Sequence, residues 1–239
     1  MYRPNFEHDE FHKPVKHYEI KTGEKVILYA YIRKNASSLF KQVMLEVKSK
    51  GIKSEKSIYF QMHKKKYASK IFVYRDPIDR ILSTFLNKFV NDTYSKDIKQ
   101  NFFACSGKTS LNDVCFLDFV DYLDNSFEKI DKHLHPQKSS LWSINYDYPI
   151  NINSLNSAMT HILQKDSLNS HFQKKNNSTK QGKPVLDKLI SCKKIRDIRA
   201  MRESFDFHVE NFVTLDVADF LKHKYKQDYK MIAEIEAHP

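Results

Sequence analysis

The sequence predicts an α/β fold with a central parallel sheet, helices on its faces and a helical C-terminal part. Three observations carry this expectation. Residues 25–32, "KVILYAYI", form a continuous apolar run bounded by charge, as expected of a strand buried on both faces. A second run, "KIFVY" at 70–74, leads into "RDPIDRILSTFLNKFV", where Asp76 can cap a helix, Pro77 suits its first position and Asp79 falls in its first turn. Strand-like and helix-like segments then alternate through the first half, which is the pattern of parallel strands joined by crossover helices.

The elements follow in order. Residues 1–24 read as a polar lead-in carrying Pro4 and Pro14. After the strand at 25–32, Leu39, Phe40, Val43, Met44 and Val47 recur at helical spacing, and Gly51 sits where a C-cap belongs. "SIYFQM" at 57–62 reads as a short strand, followed by "HKKKYAS" and the strand at 70–74. In the next helix Ile78, Ile81, Leu82, Phe85, Leu86 and Phe89 make the apolar stripe, while Arg80, Ser83 and Asn87 share the opposite face. From Asn91 to Ser110 the chain reads as an irregular surface excursion. A helix is expected around "CFLDFVDYLDN", then a loop with "DKHLHPQKSSLW", a strand "SINYDYPI" and a helix at 154–164 capped by Asn153 or Ser154. "FQKKNNSTKQGKP" reads as a basic loop, and the remainder from Val185 as helices.

A length of 239 residues suits one domain spanning 1–239. Hydrophobic residues at 41% and aromatics at 13% exclude a disordered chain, and 29% charged residues indicate a soluble surface. The formal net charge of +11 points to an anionic partner. Cys105, Cys115 and Cys192 form no CxxC pair and no metal-ligand spacing, so neither a disulfide framework nor a metal site is expected. No apolar run approaches the roughly 18 residues of a membrane span.

Ligands of open α/β sheets collect at the carboxyl ends of the strands. Three segments leave the predicted sheet there: "RKNASS", "HKKK" and "RDP". In the first, Ser37 and Ser38 open a helix whose unpaired amides and dipole favour a phosphate, and Lys34 adds a positive charge. A serine-capped helix beside a solvated lysine is the plain alternative. The Walker pattern GxxxxGK[ST] is absent, which argues for a phosphate site of another kind. Arg75 with a nearby hydroxyl, Ser83, suits a second phosphate; Arg80 could instead be a structural ion-pair partner. Trp142 could stack on a ring, although a core role fits it better.

These segments resemble the carbohydrate sulfotransferases. "YIRKNASSLFK" is similar to their 5′-phosphosulfate loop, P-K-[TV]-[AG]-[SCG]-[TS]-[SN]-[FLW], with Arg33 in place of proline and with Asn35 and Leu39 in place of small or hydroxyl residues. "VYRDPIDRILSTFLNKF" resembles their 3′-phosphate motif, R-[DN]-P-x-x-R-x-x-S-x-[YF], matching Arg75, Pro77, Arg80, Ser83 and Phe85 together. "CFLDFVDYL", "KHLHPQ", "INYDYPIN" and "YKQDYKMI" are weaker echoes of the Golgi glycan enzymes of the chondroitin/dermatan 4-O, HNK-1 and uronyl 2-O type.

The resemblance implies a P-loop NTPase-like three-layer fold and 3′-phosphoadenosine 5′-phosphosulfate as donor, without a metal. It implies a carbohydrate acceptor, acidic in character if the lysines meet it. Arg33, Lys34, Asn35, Ala36, Ser37 and Ser38 would hold the 5′ end, with Lys34 neutralising the bridging oxygen, and Arg75 and Ser83 would hold the 3′-phosphate. Lys180, with Lys174, Lys175 and Lys183, falls in a loop that the family closes over the nucleotide. His63 is the first choice for the base that takes the acceptor proton, because it follows the second strand; His135, with His133 beside it, is the second. A solvated basic turn around Lys64, Lys65 and Lys66 is the alternative reading for His63. Animal Golgi relatives carry an N-terminal anchor, so a bacterial cytoplasmic enzyme is expected, with a lumenal domain lacking its anchor as the alternative. A degenerate kinase with magnesium on Asp76 and a basic nucleic-acid binder are the rival readings.

Overall fold

The computed structural model describes residues 1–22, 25–49, 66–92, 96–163, 172 and 183–237. Its strands are β1 (His17–Thr22), β2 (Lys25–Ala30), β3 (Ser69–Tyr74) and β4 (Tyr148–Asn151). They form one sheet in the order β1-β2-β3-β4. β2 pairs β3 and β3 pairs β4 in parallel, with Ala30 opposite Phe72 and Tyr74 opposite Asn151. β1 pairs β2 antiparallel, His17 facing Ala30. The sheet is therefore mixed, not purely parallel.

The described α-helices are α1 (Ser37–Ser49), α2 (Pro77–Phe85), α3 (Lys96–Ser106), α4 (Phe116–Leu123), α5 (Leu155–Leu163), α6 (Ile195–Met201), α7 (Leu215–Lys224) and α8 (Lys226–Glu236). The chain divides into two compact units, one of Met1–Arg75, Pro136–Thr179 and Lys230–Pro239, the other of Asp76–His135 and Lys180–Tyr229.

The first unit holds the sheet, and the alternation of side chains along each strand places a separate core on each face. Ile27, Tyr29, Ile71, Val73 and Ile150 pack with Phe40 and Val43 of α1 and with Leu155 and Met159 of α5. Ala30, Phe72 and Tyr74 pack with Tyr2, Leu141, Tyr146, Met231 and Ile235. Phe40 stacks on Tyr29 at 3.8 Å between ring centres, which fixes the start of α1 against β2. The second unit is helical around an aromatic core: Phe85, Phe89, Phe116, Phe119 and Phe212 are all fully buried.

α2 begins as its sequence dictates. The Asp76 carboxylate accepts the Asp79 amide at 3.1 Å, and Pro77 occupies the first turn, where its missing N–H costs nothing. Past Phe85 the helix widens into a π turn, Leu86–Val90, closed by the Asn91 amide on Leu86 O.

Four expectations need correction. The lead-in contains β1, hidden because His17 and Glu19 are polar yet buried. Each has a partner: His17 bonds to Val15 O and the Tyr146 hydroxyl, and Glu19 accepts from Tyr67 at 2.9 Å. The stretch 91–110 contains α3, which buries only Ile98 and Phe102, a stripe too narrow to stand out in a polar segment. The strand expected at 143–150 is shorter and later, because Tyr146 forms a bridge with Tyr2 before β4 starts. Residues 185–194 are irregular rather than helical, joined by a Val185–Asp206 bridge. The strand expected at 57–62 lies outside the described residues.

Candidate functional site

β2 ends at Ala30, and the chain reaches α1 through Tyr31–Ala36 with no glycine. Two of these residues nevertheless adopt the left-handed backbone, Lys34 at φ 69° and Ala36 at φ 56°. For an L-residue with a side chain that conformation costs about 1–2 kcal/mol. Such strain persists only where the surroundings enforce it, and it concentrates at ligand-binding loops. Alternating backbone hands turn successive N–H groups towards one point, the arrangement that binds anions. The loop feeds the first turn of α1, whose leading amides have no intrahelical partner and where Ser37 is buried and Ser38 exposed.

The enforcing contacts run through Asn35. Its side chain is fully buried and donates from Nδ2 to Val73 O at 2.9 Å and to Gln137 Oε1 at 2.5 Å. Asn35 sits between the two left-handed residues, so fixing it fixes both. Gln137, also fully buried, accepts the Arg75 amide at 3.0 Å and donates from Nε2 to Arg75 O at 2.9 Å. The loop after β2 and the residue ending β3 are thus tied to the same carboxamide. Arg33 lies over the ring of Tyr31, 5.9 Å from its centre.

In the helical unit the motif residues divide into two kinds. Ser83 is half-buried on α2. Arg80, by contrast, is 1% exposed: its guanidinium donates to His135 O at 2.7 Å and His133 O at 3.2 Å, and lies 5.7 Å from the centre of the Tyr225 ring. Tyr225 itself donates to Leu134 O at 2.7 Å. Arg80 therefore holds the 133–135 backbone rather than sharing an exposed polar face with Ser83, and its partners are carbonyls rather than a carboxylate.

The histidines of that segment are placed by the same contacts. His135 is buried with Nε2 at 3.2 Å from Ile130 O, and His133 Nδ1 lies 2.6 Å from the Asp131 carboxylate. Trp142 is a core residue, stacked on His17 at 3.6 Å. Lys183 donates to Arg202 O at 2.7 Å, within the helical unit. His63, Lys64, Lys65, Lys174, Lys175 and Lys180 lie outside the described residues.

A cavity of about 780 Å³ lies along β4, lined by Tyr2, Tyr74, Tyr148, Asn151 and Glu234 among others. It shares no residue with the Lys34–Ser38 loop. Among the described residues no cluster of His, Cys, Asp or Glu could hold a metal, and no helix is long and apolar enough to cross a membrane.

Two residues gain roles that sequence reasoning did not assign. Asn35 reads as a departure from the family loop and turns out to anchor it. Gln137 was visible within "KHLHPQ", but nothing in its spacing tells that it reaches Arg75. A profile of the sulfotransferase family matches residues 17–231, which takes in the loop, the "RDP" segment and Gln137. No curated protein and no solved structure matches the chain. With the match spanning nearly the whole chain, the protein belongs to the sulfotransferase family, enzymes that transfer a sulfuryl group.

Proposed function

We propose that this sulfotransferase takes its sulfuryl group from 3′-phosphoadenosine 5′-phosphosulfate and passes it to a hydroxyl of a carbohydrate acceptor. The observation that carries the reading is the strained, glycine-free loop at the start of α1, with Lys34 and Ala36 left-handed and Asn35 clamped towards Arg75. That loop offers amides, two hydroxyls and a lysine to one anionic group, and Arg75 offers a guanidinium to another. A donor with phosphate at both its 5′ and 3′ ends matches this pair, and its charge suits a chain of net +11. The similarity of both segments to glycan sulfotransferase motifs supports the carbohydrate acceptor.

The chemistry is an in-line displacement. The acceptor oxygen attacks sulfur, the bond from sulfur to the bridging oxygen breaks, and adenosine 3′,5′-bisphosphate leaves. Lys34 neutralises the charge that develops on the bridging oxygen. Arg33, Asn35, Ala36, Ser37 and Ser38 form the 5′ cradle, and Arg75 with Ser83 takes the 3′-phosphate, as the family motif assigns. The base accepts the acceptor proton, and the backbone-bonded, buried ring of His135 favours His63 for that role. Lys180, outside the described residues, is assigned to the donor by the family resemblance alone.

The test is calorimetric titration with adenosine 3′,5′-bisphosphate and, separately, with magnesium and ATP, for the wild type and Arg75→Ala. Metal-independent binding of the bisphosphate that is lost in the variant is expected. Binding of magnesium and ATP alone would overturn the donor assignment in favour of phosphoryl transfer.

A further inference from the structure

The phosphate loop and Arg75 belong to different strands, and nothing in a parallel pairing fixes the loop beyond one strand relative to the loop beyond its neighbour. In this protein two side chains do so: Asn35 bonds Val73 O within β3, and Gln137 carries the tie on to Arg75. Gln137 comes from a third segment of the same compact unit. Its Oε1 receives both Asn35 Nδ2 and the Arg75 amide, and its Nε2 returns a bond to Arg75 O. Both polar groups of the carboxamide are used, and both backbone groups of Arg75 are satisfied by it. The residue is fully buried, so no water competes for these bonds.

We infer that Gln137 is a positioning residue for sulfuryl transfer: it sets the distance between the 5′ cradle and Arg75, and so makes the two ends of the donor bind as one ligand. The inference rests on the donor assignment above for the identity of the ligand. The clamp itself stands on the geometry of Asn35, Gln137 and Arg75. A ligand that touches only one end gains nothing from a fixed separation. A ligand that touches both does, because it no longer has to order one loop against the other when it binds.

Three ligands separate these cases: adenosine 5′-monophosphate, adenosine 3′-monophosphate and adenosine 3′,5′-bisphosphate, titrated into the wild type, Gln137→Met and Gln137→Asn. The methionine keeps the length and removes every bond. The asparagine keeps the carboxamide but is one methylene shorter, so it cannot reach Asn35 and Arg75 together, and it serves if the methionine variant does not fold. For Gln137→Met the bisphosphate is expected to bind about ten-fold or more weakly, because it must then order the loop against Arg75 itself, while each monophosphate changes by less than about three-fold. Gln137→Asn should show a smaller loss of the same pattern. A merely structural role would lower the melting temperature and leave all three affinities of the folded protein in their wild-type ratio, and that result overturns the inference.

Amide hydrogen exchange on the ligand-free protein tests the clamp apart from the donor. The Asn35 amide, bonded to Ile32 O at 3.4 Å, should exchange at least about ten-fold faster in Gln137→Met, while the β1–β2 ladder is unchanged. Equal rates at Asn35 would refute the clamp even if the wild type binds the bisphosphate. Faster exchange in Gln137→Met, together with a wild type that binds no adenosine phosphate, would uphold the clamp and refute only the donor.

Discussion

Mild acidification should destabilise this protein through His17. The side chain is 1% exposed at the start of β1, stacked flat against Trp142. Nδ1 donates to Val15 O at 3.1 Å and Nε2 accepts from the Tyr146 hydroxyl at 2.7 Å, which is the bonding of a neutral ring. Tyr146 in turn accepts the Trp142 amide at 3.0 Å, so its proton is committed to the histidine. Burial pushes the His17 pKa from 6.5 down to about 3. The unfolded chain therefore binds a proton between these values that the native protein refuses. Stability from this residue is complete above pH 6.5 and is lost as the pH falls towards 3. The shift gives a loss of about 2 kcal/mol between pH 8 and pH 5, and about 5 kcal/mol once both states are protonated. Urea unfolding at pH 8 and pH 5, for the wild type and His17→Gln, isolates the contribution. The variant should be less stable at pH 8 and show a pH dependence flatter by about 2 kcal/mol. If both proteins lose stability in parallel, the ring is not the buried neutral base its contacts describe.

Two further outcomes concern the loop. Ala36→Gly should leave stability unchanged or raise it by up to about 1 kcal/mol, because relief of the left-handed strain offsets the added freedom of the unfolded chain, whereas Ala36→Val should be clearly destabilising; urea midpoints compare them. Lys34→Ala should lower kcat by about 100-fold or more while the affinity for the intact sulfate donor changes by less than about three-fold, since the lysine acts on charge that develops only as the sulfur–oxygen bond breaks. Equal losses in both quantities would make Lys34 a ground-state phosphate ligand instead.

The sheet strands and helices built from apolar runs were legible in the sequence. β2, β3 and α2 lie where their patterns put them, because each buries its apolar set in the period of its own backbone. What escaped was built from polar residues whose partners are remote. β1 buries His17 and Glu19, and their burial is tolerable only because Tyr146 and Tyr67 arrive from elsewhere in the chain. Arg80 shows the same limit in the motif itself. Its spacing marks it as a functional arginine, yet its guanidinium serves two carbonyls of the 133–135 segment.

The absence of glycine from the Tyr31–Ala36 loop has the same explanation. Glycine lets a loop enter the left-handed region at no steric cost, but it also leaves that loop free to leave it. Here Lys34 and Ala36 carry the strain of about 1–2 kcal/mol each, and the opposing contribution is the pair of bonds made by the buried Asn35 amide. Those bonds end on Val73 O and Gln137, so the conformation of the loop depends on the end of β3 being in place. A glycine loop could hold its anion independently of its neighbour. This one is shaped only when the segment bearing Arg75 is shaped too, which suits a ligand that must be gripped at both ends before it reacts.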